Sequence, residues 1–194
     1  YYSSAKELNA YFSEAALMQY RIYVEVEYLL ALAKQKEIRK RLLIDDKEQS
    51  KLRKLYQSFD LNAAKEIKEI EKKINHDVKA IEYYIQDKTR SSLHPWIHFA
   101  LTSEDVNNIS YSLMWKHALE KVYLPSALSL QRKLLDLIRE HRKSPMLSLT
   151  HGQPATPPTL GKEIRVFYNR IERQIVKLKK GTLLAKMSGA TGTW

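Results

Sequence analysis

The chain has 194 residues, of which 44% are hydrophobic and 28% charged, and it carries a formal net charge of +11. That balance excludes a disordered polypeptide, and the length has room for one large or two small domains. The absence of cysteine excludes a disulfide framework and a thiolate metal site. No apolar run approaches the ~18 residues of a membrane span and no signal-peptide core is visible, so a cytoplasmic protein is expected.

Five glycines and six prolines leave few turn signals and favour long helices, and no sheet pattern competes with them. Ser4 followed by Glu7 has the form of a capping box, and Ser13 with Glu14 offers a second N-terminus ahead of a helical run from Ala15 to Lys36. In that run Leu17, Tyr20, Val24, Tyr28 and Ala31 recur at steps of three and four, which predicts one buried stripe. A charged connector from Arg39 to Lys54, with a short helix, comes next. Asp60 or Asn62 then caps a helix carrying Ala64, Ile67, Ile70 and Ile74 on one side, and the pattern resumes at Val78, Ile81 and Ile85. The polar stretch from Lys88 to Pro95 ends in His-Pro and predicts a domain boundary near Trp96.

Beyond that boundary the spacing predicts three long helices, about Ser103 to Val122, Pro125 to His141 and Thr159 to Lys186. Pro125 either kinks one continuous helix or starts a new one. The last helix repeats its apolar stripe through Ile164, Phe167, Ile171, Ile175 and Leu178. Long amphipathic helices on short connections predict an antiparallel bundle, with helix-mediated oligomerisation. Lys34 to Arg41 and Lys177 to Lys180 alternate with Leu, Ile or Glu, the pattern of solvated helix faces rather than of a nucleic-acid surface. The missing initiator methionine and the stop at Trp194, straight after Gly-Ala-Thr-Gly-Thr, predict a part of a longer polypeptide.

Three polar islands interrupt the helices. In Asn75-His76-Asp77, Asn75 or Asp77 suits a helix cap, and His76 is either a partly exposed hydrogen-bonding residue or a donor to an anionic substrate. In Leu101-Thr102-Ser103-Glu104-Asp105, Thr102 or Ser103 suits the N-cap, and the free N–H groups there suit a carboxylate or phosphate. Glu104 and Asp105 oppose such an anion unless they point away. The third island, Thr150-His151-Gly152-Gln153-Pro154, sets a histidine in a polar loop between rigid helices, where proton transfer and plain surface exposure are both open readings. No histidine pair with a third ligand suggests zinc, and neither a P-loop nor a Rossmann glycine pattern occurs.

Four ordered segments, NHDVKAIEYY from Asn75, IHFALTSEDVNNISYSLM from Ile97, LTHGQPATPPTLGKE from Leu149 and KMSGATGTW from Lys186, together resemble the adenylosuccinate lyases of the fumarase/aspartase superfamily. The bacterial branch is the most similar. The resemblance runs over essentially the whole chain. It implies an all-α subunit, with an N-terminal helical domain over residues 1–96 and the first long helices of a central bundle domain over residues 97–194. It further implies a homotetramer with active sites shared between subunits, nucleotide substrates, no metal or organic cofactor, and no nucleic-acid or membrane partner. The implied chemistry is β-elimination of fumarate from adenylosuccinate and from succinyl-aminoimidazole-carboxamide ribotide.

By that resemblance Thr102 and Ser103 hold the succinyl carboxylate and His151 protonates the departing nitrogen. Asn75, His76 and Asp77 position the substrate, and Tyr1 matches the tyrosine of an Arg-Tyr pair near its phosphate. The arginine expected before Tyr1 falls outside the chain, and Leu149 stands where bacterial relatives commonly have arginine. The family's Ser-Ser-x-Met-Pro-x-Lys-x-Asn loop, whose serine takes the carbon-bound proton, does not occur here, so this segment alone is expected to be inactive. The rival readings are another superfamily lyase such as argininosuccinate lyase, a basic helical nucleic-acid-binding protein, and a catalytically silent scaffold.

Overall fold

The computed structural model describes residues 3–192. The fold is all-α apart from one two-stranded hairpin, and it divides into two compact units. One comprises the residues up to His117 together with the segment from Leu184 onward, and the other comprises Ala118–Leu183.

The first unit opens with a 3-10 turn, Ser3–Leu8, and a single turn of helix, α1 (Asn9–Phe12). Helix α2 (Glu14–Leu32) begins at Ser13, whose Oγ accepts the N–H of Ala16 at 3.1 Å, as its cap position predicts. Helices α3 (Asp46–Gln57), α4 (Leu61–Ile74) and α5 (Asp77–Asp87) follow, then a 3-10 turn, Ser91–Trp96, and α6 (Ser103–Ala118). Asp60 caps α4 by accepting from the N–H groups of Asn62 and Ala63.

Helix α2 is the axis of this unit, packing on α3, α4 and α5. Its deepest apolar positions are Ile22, Val26, Leu29 and Leu30; of the predicted stripe Val24 is buried, whereas Leu17, Tyr20 and Tyr28 are half-buried and Ala31 is exposed. A helix with neighbours on several sides buries more than one stripe, so periodicity alone misplaces its core face. Leu52, Ile67, Ile81, Ile85 and Leu93 complete the core around it. A polar clamp on its rim joins α3 to α2: Arg53 donates to both oxygens of Glu27 at 2.8 and 3.1 Å, and the Tyr56 hydroxyl adds a third bond at 2.9 Å.

The segment linking the 3-10 turn to α6 is held by the same helix. His98 and Ala100 take positive φ values of 59° and 57°, and the Tyr28 hydroxyl donates to the Phe99 carbonyl at 2.9 Å. His98 Nδ1 lies 2.5 Å from Oε1 of Glu25, and its Nε2 lies 3.8 Å from Glu82. Both carboxylates are buried. Burial works against the imidazolium, but the hydrogen bond and charge of Glu25, with the charge of Glu82, outweigh it and raise the His98 pKa.

In the second unit a π-helical turn, Leu119–Tyr123, leads into α7 (Leu124–Glu140). The widened turn explains how Pro125 sits in the first turn of α7 without a break, since a proline ring clashes with the carbonyl four residues back in regular helix. The hairpin of β1 (Leu149–Thr150) and β2 (Gln153–Pro154) comes next, then α8 (Leu160–Lys180). Helix α8 stops at Gly181, short of the predicted end at Lys186.

Helices α7 and α8 pack on each other through Gly161. A Cβ there would stand 2.7 Å from the Ile138 carbonyl oxygen and 3.0 Å from the Arg142 backbone. The Gly161 N–H also donates to the His141 carbonyl at 3.0 Å.

Gly161→Ala is therefore expected to cost about 1–3 kcal/mol by overpacking a backbone contact, read as a lower midpoint in chemical unfolding. A midpoint equal to wild type would show that the helices part without penalty. A raised His98 pKa adds stability that is fully present below the unfolded imidazole value of ~6.5 and is lost as pH rises through the folded value. The melting temperature of wild type should thus fall relative to His98→Gln as pH rises above the unfolded imidazole value. Parallel curves for the two proteins would mean that His98 carries no such charge.

Candidate functional site

The first island lies where α4 gives way to α5. Asn75 closes α4 in the left-handed conformation, φ 55°, with its N–H on the Glu71 carbonyl at 2.7 Å. Asparagine tolerates that conformation better than most residues. His76, rather than Asn75 or Asp77, is the N-cap of α5: its Nδ1 accepts the N–H of Lys79 at 3.1 Å. Accepting at Nδ1 fixes the neutral ring's proton on Nε2. The side chain is half exposed, so capping leaves a donor nitrogen free to meet a ligand.

Asp77 opens α5 and accepts from Nη2 of Arg21 at 2.6 Å. Burial pushes its carboxyl up, but the Arg21 charge and hydrogen bond, with backbone donors, bring it below the ordinary value. The same guanidinium donates through Nε to the Asn107 side-chain oxygen at 2.9 Å. Arg21 is 5% exposed. One buried cation on α2 thus joins the start of α5 to the first turns of α6, and so brings the first two islands together.

In the second island Ser103 is the first residue of α6. Asp105, three residues after Thr102, reaches back in the manner of a capping-box acid: its Oδ2 accepts both the Thr102 N–H at 3.0 Å and the Thr102 hydroxyl at 2.9 Å. Its Oδ1 accepts from the N–H groups of Ser188 and Gly189 at 3.0 and 3.2 Å and from the Lys186 ammonium at 3.2 Å. Burial alone would raise this carboxyl. The Thr102, Lys186 and Ser188 donors outweigh it and hold the pKa down at about 2. The opposition between Asp105 and an anion at the helix start is thereby reduced, because the carboxylate is buried and surrounded by donors, one of them the Lys186 ammonium.

Asn108 and Ser112 fasten the same returning segment. Asn108 bonds both the N–H and the carbonyl of Lys186, at 2.7 and 2.9 Å, and the Ser112 hydroxyl donates to the Leu184 carbonyl at 2.8 Å. The stretch from Leu184 to Gly189, with the start of the fourth segment, is therefore bound along α6. Among the described residues the Ser103 hydroxyl and N–H bond to no protein group.

His151 lies in the second unit. With Gly152 it forms the two-residue turn of the hairpin, Thr150 pairing with Gln153 and Leu149 with Pro154. Both turn residues have positive φ, 51° and 75°, the geometry of a type I′ hairpin turn. The imidazole is exposed at the tip. Leu149 is exposed as well, and Tyr1 lies outside the described residues.

Sequence reasoning missed Arg21, Glu25, His98, Asp105, Asn108 and Lys186 as organisers of these islands. Charged residues inside an apolar helical stripe, as Arg21 and Glu25 are, were the available signal. Among the described residues no group of three or more His, Asp or Glu side chains is placed to hold a metal ion, and no helix is long and apolar enough to cross a membrane.

Comparison with known proteins bears on these positions. The family model described as Lyase matches residues 1–194. An adenylosuccinate lyase of Buchnera aphidicola is 40% identical over 203 residues, covering 100% of this chain and 44% of that protein. One from Legionella pneumophila is 41% identical over 199 residues, with 100% and 44% covered. The chain thus spans less than half the length of the curated relatives it matches. A solved fumarate lyase from Mesorhizobium sp. BNC1 superposes with a TM-score of 0.77 at 20% identity, over 97% of this chain and 43% of that one, a likeness of fold. With every residue inside the family match, the chain belongs to the Lyase family.

Proposed function

We propose that the complete protein is an adenylosuccinate lyase of purine and AMP biosynthesis, which eliminates fumarate from adenylosuccinate and from succinyl-aminoimidazole-carboxamide ribotide. The observation that carries this reading is about 40% identity to adenylosuccinate lyases along the entire chain, with all four resembling segments inside the match. The reading includes a cytoplasmic homotetramer with shared active sites, a domain division between residues 96 and 97, and no required cofactor.

The chemistry suits the islands. Elimination removes a weakly acidic C–H proton beside a carboxylate and expels a nitrogen, so it needs donors around the developing dianion and an acid for the leaving group. The start of α6, with free N–H groups and the Thr102-Ser103 pair, is the carboxylate site in this reading. His151 is the acid, carried on a hairpin tip where its ring is open to substrate. Asn75, His76 and Asp77 position the nucleotide, with His76 donating from Nε2, and Tyr1 serves its phosphate. The base for the carbon-bound proton comes from chain beyond these residues.

In the complete protein His151→Ala is expected to lower turnover at least ~100-fold, the lower range for loss of a general acid, measured as fumarate release from both purine substrates. Near-normal turnover would remove His151 from the role. Release of fumarate from argininosuccinate instead would move the protein to the neighbouring lyase. Tight binding of a nucleic-acid polymer, weakening steeply with salt, would favour the basic-protein reading.

A further inference from the structure

The hydroxyl pair at the start of α6 is not equivalent. Both Thr102 donors, N–H and O–H, end on Oδ2 of Asp105, and a hydroxyl has only one proton to give. The Ser103 hydroxyl and N–H bond to no protein group among the described residues. The other oxygen of Asp105 fixes the Lys186–Gly189 turn beside it: Ser188 and Gly189 donate through their N–H groups, and the Lys186 ammonium donates to Oδ1 and to the Gly189 carbonyl. Asn108 clamps the same turn from one helical step further along α6.

We infer that Asp105 is the positioning residue of the carboxylate site: it commits Thr102 to a supporting role, fixes the Lys186–Gly189 turn beside the start of α6, and leaves Ser103 as the hydroxyl that donates to substrate. The inference deepens the proposed elimination and rests on it. Thr102 acts through Asp105, whereas Ser103 acts on the ligand directly. A carboxylate spent on five donors, one of them a cation, can lie next to a bound anion without repelling it at full strength.

The test uses the complete protein and succinate as the probe, its dissociation constant measured by calorimetry and its effect on fumarate release measured as competitive inhibition. Ser103→Ala should weaken succinate at least about tenfold, the loss of one hydrogen bond to a charged group, with little change in melting temperature. Asp105→Asn should weaken it comparably, and Thr102→Val added to Asp105→Asn should change affinity by less than about twofold, because both act through one hydrogen bond. Thr102→Ser, which keeps the hydroxyl, should hold affinity close to wild type.

Three results overturn the inference: Ser103→Ala binding succinate as wild type does, Thr102→Val multiplying the loss in the Asp105→Asn background, or Asp105→Asn lowering only the melting temperature. If Asp105→Asn does not fold, the single variants decide. A loss from Ser103→Ala at least about threefold greater than from Thr102→Val supports the assignment, and equal losses overturn it. Wild type that releases no fumarate defeats the lyase reading alone, since succinate affinity still reports on Ser103; wild type that binds no succinate overturns the inference itself.

Discussion

A guanidinium enclosed by protein must be matched on every side, or its desolvation outweighs anything it contributes. Arg21 meets that demand with Asp77 and Asn107, and much of the first unit's polar architecture follows from it. Asp77 opens α5 and Asn107 lies in α6, so both helix starts are held at fixed distances from α2. Moving either one would leave a buried charge without its partner. The same helix supplies Glu25 to His98 and Tyr28 to the Phe99 carbonyl, so residues at intervals of three and four along α2 hold the approach to Thr102. A core helix carrying charges at these positions is costly in stability terms, and the cost goes into placing polar segments.

The second unit presents the opposite situation. Helix α8 has a predicted apolar stripe, yet only Ile175 on it is buried; Phe167 and Leu178 are exposed, as are Leu130 and Leu137 on α7. Gly161 brings α7 and α8 into backbone contact at one end, but two helices cannot cover stripes this wide. The amphipathic pattern in the sequence therefore describes more packing than the two helices perform, which accords with a chain spanning less than half of its relatives.

Helix existence was legible because it rests on spacing and caps that are local. Ser13 and Asp60 cap where their side chains predict, and Val78, Ile81 and Ile85 are buried as their spacing requires. What escaped has a common physical cause. His76 caps α5 through a ring nitrogen, a role usually given to the oxygens on either side of it. The hairpin has two residues per strand, too few for any alternation to show, and its turn is built from His-Gly where Asn-Gly would have announced it. Asp105 reads locally as an ordinary complement to the helix dipole, and three of its five donors lie more than eighty residues away in the Lys186–Gly189 turn. Local rules reach what is local, and the candidate site is made mostly of long-range bonds.

The backbone itself separates these segments from the rest of the chain. Among the described residues the non-glycine positions with positive φ are Asn75, His98, Ala100 and His151, and all four fall inside the segments that carry the family resemblance. Asparagine and histidine adopt this region at modest cost, but an alanine has no polar side chain to compensate it. Strain of that kind persists only where surrounding contacts over-determine it. For His98 and Ala100 those contacts are visible: the bond to Glu25, the Tyr28 hydroxyl on Phe99, and Asp105 gripping Thr102 on the far side. A relaxed loop with the same ends would place Thr102 and Ser103 differently, so the strain and the buried charges of α2 and α6 have to be maintained together.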